Sequence, residues 1–143
     1  MDKNPFFDDV VPVPCLHSPD LSPDGETLVF AYAGDIWSVS AAGGEARQVT
    51  SHVGRDSHPR FSPDGSRIAF VSTRTGNGDI YVLDLRTGDL RRLTHFGGPD
   101  ALGCWSPDGC WVCFTSQRDG LSGAIHRVLV DGGTPAEVLS DPR

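Results

Sequence analysis

The tetrapeptide Ser-Pro-Asp-Gly occurs three times in 143 residues, at Ser22–Gly25, Ser62–Gly65 and Ser106–Gly109. Proline presets φ at the second position of a type I turn. Aspartate accepts bonds from nearby backbone N–H groups, and glycine takes the fourth position without steric cost. Asp24, Asp64 and Asp108, with Gly25, Gly65 and Gly109, are therefore expected to fold the same hairpin three times. A calcium role for these aspartates would need more oxygen ligands than one turn supplies. The turns read as structural.

Short β-patterned runs follow each turn. In the middle copy Ile68-Ala69-Phe70-Val71 is apolar on both faces, as in a strand covered on each side. Asn77-Gly78 then leads into Asp79-Ile80-Tyr81-Val82-Leu83, and Thr87-Gly88 into a more polar run over Leu90–Thr94 that suits an outer strand. This unit reads as a four-stranded antiparallel meander, with a short strand near Pro59–Phe61 and further strands over 67–73, 79–85 and 90–95. The first copy repeats it with Thr27–Tyr32, Asp35–Val39 and Ala46–Thr50, and the third with Trp111–Ser116, Ala124–Val128 and Pro135–Leu139. No segment carries a sustained helical period. A four-strand repeat of this length, with turns 40 and 44 residues apart, predicts an all-β chain of propeller blades over approximately 16–56, 57–99 and 100–143. Residues 1–15 stand outside the repeat. Pro5, Pro12 and Pro14 exclude a central strand there, so an extended arm is expected.

Composition narrows the function classes. Seventeen glycines and eleven prolines suit many turns. The formal charge is -7, and Arg91-Arg92 is the one basic doublet, its members on opposite faces of a strand, which argues against nucleic acid as a partner. No run approaches the roughly 18–20 apolar residues of a membrane span. The N-terminus lacks the apolar core of a signal peptide, and together with free thiols this predicts a cytoplasmic chain.

Ser-Pro-Asp-Gly followed by Ile-Ala-Phe-Val-Ser, Asp-Ile-Tyr-Val and Arg-Arg-Leu-Thr resembles the blade repeat of TolB-like propellers. The span from His17 to Ser140 is similar to the N-terminal propeller of tricorn-type proteases, and related blades occur in the gating propellers of the prolyl-oligopeptidase family. The resemblance implies blades of a six-bladed ring. Rings of this architecture carry about 4–8 blades, so three would leave an apolar face open at each end. A dimer pairing two half-rings is the simplest closure.

Chemistry-bearing candidates are few. Cys110-Trp111-Val112-Cys113 has zinc or redox spacing, with Cys104 and Cys15 elsewhere, but residues i and i+3 of a strand point to opposite faces. Cys113 also aligns with Val29 and Ala69, both interior positions, and reads as a small hydrophobe. No metal and no cofactor are expected. Gly120-Leu121-Ser122-Gly123-Ala124 misses the hydrolase elbow pattern, and no catalytic residue is assigned. His52, His58 and His95 fall where strand four of one blade joins strand one of the next. There Arg55, Asp56, His58, His95 and Asp100 form a candidate binding surface for a peptide or protein at the channel mouth. The functional expectation is a non-catalytic, self-associating propeller module. The alternative is a piece of the substrate-gating propeller of a tricorn-type or prolyl-oligopeptidase-type peptidase.

Overall fold

The computed structural model describes residues 15–118 and 123–139, which carry twelve strands and no helix. Strands β1 (His17–Leu21), β2 (Thr27–Tyr32), β3 (Asp35–Ser40) and β4 (Arg47–Gln48) form the first sheet, blade 1. Blade 2 holds β5 (Asp56–Phe61), β6 (Arg67–Ser72), β7 (Asp79–Asp84) and β8 (Leu90–Arg92). Blade 3 holds β9 (Asp100–Trp105), β10 (Trp111–Ser116), β11 (Ala124–Leu129) and β12 (Ala136–Leu139). Each is an antiparallel meander in chain order, as the turn spacing predicts. The arm expected at residues 1–15 lies outside the described residues except for Cys15, which is exposed.

The three turns are built alike. Ser22 Oγ donates to Asp24 Oδ1 (2.6 Å), Asp24 Oδ1 accepts from Glu26 N (3.0 Å), and Ser22 Oγ accepts from Thr27 N (2.9 Å). Ser62, Asp64 and Ser66 repeat the set, as do Ser106, Asp108 and Cys110. The glycines sit at φ 72° to 75°, where a side chain would be strained, so the type I turn closes through a left-handed residue. Hydrogen bonds from the serine hydroxyl and from backbone N–H hold each aspartate ionised and lower its pKa, that of Asp64 to about 2.

Neighbouring turns touch. A Cβ on Gly65 would lie 3.4 Å from Pro23 Cδ, and one on Gly109 3.8 Å from Pro63 Cδ, while beside Gly25 the space is open. A second repeated device closes the outer strands. Thr50 Oγ1 accepts from Ile36 N, and Thr94 Oγ1 from Ile80 N, both at 2.9 Å and buried.

The strand around Pro59 is longer than expected. A bulge between Ser57 and Arg60 sets His58 at φ 53°, so Pro59 falls where the β5–β6 ladder is already interrupted. Ser18 at φ 54° marks the matching irregularity of β1.

Two apolar layers fuse the blades. Val29, Ala31 and Ile36 of blade 1 pack on Ile68, Phe70 and Tyr81 of blade 2. The opposite face of blade 2 places Ala69, Ile80, Val82 and Leu93 against Val112, Phe114, Val128 and Val130 of blade 3. Alternation along β6 thus serves both layers at once, which is why Ile68, Ala69 and Phe70 are all buried. The innermost strands are successive neighbours, since β5 touches β1 and also meets β9.

Candidate functional site

The residues expected to gather at the channel mouth divide into two kinds. Asp56 opens β5 and Asp100 opens β9, and both are buried at 1% and 3% exposure. Arg74 Nη2 donates to both Asp56 oxygens (2.9 and 3.1 Å) while its Nε donates to Ser72 Oγ (2.8 Å). Its guanidinium lies over Tyr81 at 4.9 Å. Arg118 repeats the clasp on Asp100 (2.9 Å) and Ser116 (3.0 Å), over Phe114 at 5.0 Å. Each clasp ties the first strand of a blade to the loop after its second strand. Blade 1 has Leu16 and Gly34 at the corresponding positions, and no clasp.

Arg55, His58 and His95 are exposed. His58 lies on β5 rather than in a joining loop, and its bulge swings the ring toward His17 of β1, with ring centroids 6.3 Å apart. His17 is a neighbour of His58 that sequence spacing did not single out, because both residues stand at strand bulges. Arg55 N donates to Thr73 Oγ1 (2.8 Å), and Arg55 O accepts from Thr73 N (2.9 Å). Among the described residues no hydrogen bond or ion pair joins Arg55, His58 and His95 to one another.

The outer faces of blades 1 and 3 are covered by no described residue. On blade 1, Leu28, Phe30 and Val39 stand with Leu16, Pro19 and Ala46 around an apolar hollow of about 400 Å³. Leu28 and Phe30 occupy the repeat positions of Ile68 and Phe70, which are buried against the preceding blade. Trp37 shares this face, cross-strand from Phe30, and its Nε1 is buried without a hydrogen-bond partner. On blade 3 the outer face carries Trp111, Cys113, Thr115, Ile125 and Arg127, the Arg127 guanidinium lying 4.3 Å over the Trp111 ring.

The cysteines pair differently from their spacing. Cys113 faces Cys104 across the β9–β10 ladder, and Cys110 is exposed at the turn. Burial and the neighbouring Cys104 thiol raise the pKa of Cys113, so it stays a protonated thiol. Cys113 is half-buried rather than interior because its face lacks a covering blade. No cluster of metal-ligating side chains occurs among the described residues. The Gly120–Gly123 stretch lies mostly outside them. No helix of the described residues is long and apolar enough to cross a membrane.

Three antiparallel meanders packed face to face around their first strands define a β-propeller in which the ring is not closed. Residues 14–142 match the tricorn protease N-terminal β-propeller domain, and the chain belongs to that family. It is 41% identical over 54 residues to tricorn protease homolog 1 of Streptomyces coelicolor, covering 38% of this chain and 5% of that one. It is 51% identical over 51 residues to the TolB homolog of Chlorobium luteolum, covering 36% and 12%. The crystal structure of TolB from Acinetobacter baumannii superposes with a TM-score of 0.73 at 27% identity, over 84% of this chain and 31% of that one. The chain thus spans a small part of the curated relatives it matches.

Proposed function

We propose that the chain is a non-catalytic propeller module that acts by end-to-end association, two copies forming a six-bladed ring. The observation that carries this reading is the identity of residues at the open ends. The repeat positions buried at both internal junctions hold Leu28 and Phe30 on blade 1 and Cys113 and Ile125 on blade 3, so each open face keeps the apolar pattern of a blade junction. Four cysteines without disulfides fit the cytoplasm.

In the ring, Arg55, His58 and His95 together with His17 line the mouth as a peptide- or protein-binding rim, while Asp56 and Asp100 hold that rim in shape through their arginines. Light scattering across a dilution series tests the assembly. The expected species has twice 15.3 kDa, and Phe30→Asp and Ile125→Asp each shift it to the monomer. A cooperative monomer at every concentration would overturn the reading.

The family match over residues 14–142 favours a second reading, in which these blades belong to the propeller that gates a tricorn-type peptidase. Immunoblotting the native protein in cells separates the two. A polypeptide far heavier than 15.3 kDa supports the gate, and one of that mass supports the module.

A further inference from the structure

The two blade junctions use the same repeat positions but are filled to different degrees. Between blades 2 and 3, Val82 and Leu93 meet Trp105, whose Nε1 donates to Arg60 O (3.0 Å) and fixes the indole across the junction. Between blades 1 and 2 the matching residues are Ser38, Val49 and Phe61, each smaller than its counterpart. Leu85, the counterpart of Val130, is 42% exposed where Val130 is 2%.

The mouths differ as well. Arg67 reaches Asp131 (3.4 Å) and Arg91 Nη1 donates to Val130 O (3.0 Å), closing the second junction to a hollow of about 150 Å³. Blade 1 has Thr27 in place of Arg67, and its junction opens as a cleft of about 480 Å³. The floor of that cleft is Val29, Val49, Phe61 and Ile68, and two carboxylates, Asp24 and Asp64, stand at its mouth with no basic residue in the lining. Asp24 spends Oδ1 on its own turn, and among the described residues no hydrogen bond occupies its Oδ2, whereas Asp64 Oδ2 also accepts from Ser66 Oγ (2.9 Å). The turn bonds that keep both groups ionised leave this mouth negative at any pH above the acid range.

We propose that this cleft binds a basic peptide side chain, an arginine, with its methylene stem on Val29, Phe61 and Ile68 and its guanidinium at Asp24 and Asp64. Arginine combines an apolar stem with a planar fork of donors suited to carboxylates, which is the chemistry this lining lacks. The cleft lies at the turn side of the blades, away from Arg55 and His95, and the inference is independent of end-to-end association.

The test titrates the 15N-labelled chain with N-acetyl-leucyl-arginine amide and with the same peptide carrying citrulline. Saturable shifts are expected at the amides of Asp24, Thr27, Ser38 and Gly65, with the citrulline peptide at least about ten-fold weaker. The double variant Ser38→Val, Val49→Leu brings larger side chains of the kind at Val82 and Leu93 into the junction. It is expected to abolish those shifts without lowering the unfolding midpoint. Equal affinity for the citrulline peptide, shifts confined to another surface, or no saturation by about 10 mM would each overturn the site. The arginine–citrulline contrast needs no mutation, so it decides the matter even if the double variant does not fold.

Discussion

Strands β7 and β11 occupy the same place in consecutive blades. In β7 the four residues Asp79–Val82 are all buried, whereas β11 alternates strictly between buried and exposed from Ala124 to Leu129. The sequences hardly announce this. Ile80 and Ile125 are the same residue at the same repeat position, yet one is 0% and the other 40% exposed. The difference is neighbourhood: among the described residues blade 2 is covered on both sides, and blade 3 on one. A propeller blade is therefore completed by what stands beside it, and an end blade carries a finished face with no described residue against it.

Truncations at matched positions are the strongest way to break this comparison. Phe70→Ala should cost about 3–5 kcal/mol, since Phe70 is fully buried at a junction. Phe30→Ala, on the open face of blade 1, should cost less than about half of that under conditions where the chain is monomeric. Equal losses by denaturant unfolding would mean that the blade 1 face is covered in solution.

The clasps come next. Removing Asp100 or Asp56 leaves a largely buried arginine without its partner, so either alanine variant should lose about 3 kcal/mol. In amide exchange the blade that carries the mutation should lose protection, while blade 1, which has no clasp, should be unchanged.

Ile80→Ala against Ile125→Ala sharpens the opening contrast directly. The first should cost about 2–5 kcal/mol and the second under about 1 kcal/mol in the monomer. In the proposed dimer the Ile125 variant should instead weaken association, read as a concentration-dependent midpoint. A smaller effect is expected from Trp105→Phe, which removes the cross-junction bond to Arg60 O and should cost about 1–2 kcal/mol by thermal unfolding.

The smallest signal is in acid. Asp64 has its folded pKa lowered to about 2 from 3.8, so its contribution is fully present above 3.8 and is lost as the pH falls toward 2. Asp24 and Asp108 are shifted the same way. The chain should lose stability over that window, and Asp64→Asn should flatten the loss there without changing the slope near neutral pH.

The blades were legible because their signals are local. Three Ser-Pro-Asp-Gly turns and the two-faced apolar runs of β6 and β7 report their own geometry within a few residues. The candidate site was less legible, because the contacts of its residues are set by partners far along the chain. Asp56 looks like a loop acid until Arg74, across a hairpin, reaches back to it. His17 comes to His58 only through two bulges, and bulges add a residue to a strand without a clear mark in composition. The cysteines show the same limit. Spacing drew attention to Cys110 and Cys113, while ladder register sets Cys113 opposite Cys104.

The contact of each turn glycine with the proline of the preceding turn, Gly65 with Pro23 and Gly109 with Pro63, gives the molecule a direction. One end offers a proline and the other a glycine, so the proposed association that repeats this contact would run head to tail, and such joints either close a circle or wind into a filament. A circle assembled solely from this 143-residue unit counts its blades in threes. Six lies within the range of about 4–8 that propellers adopt and nine lies beyond it. In the proposed assembly, a small error in the angle between blades, summed over six joints, would be the difference between a ring and a fibre.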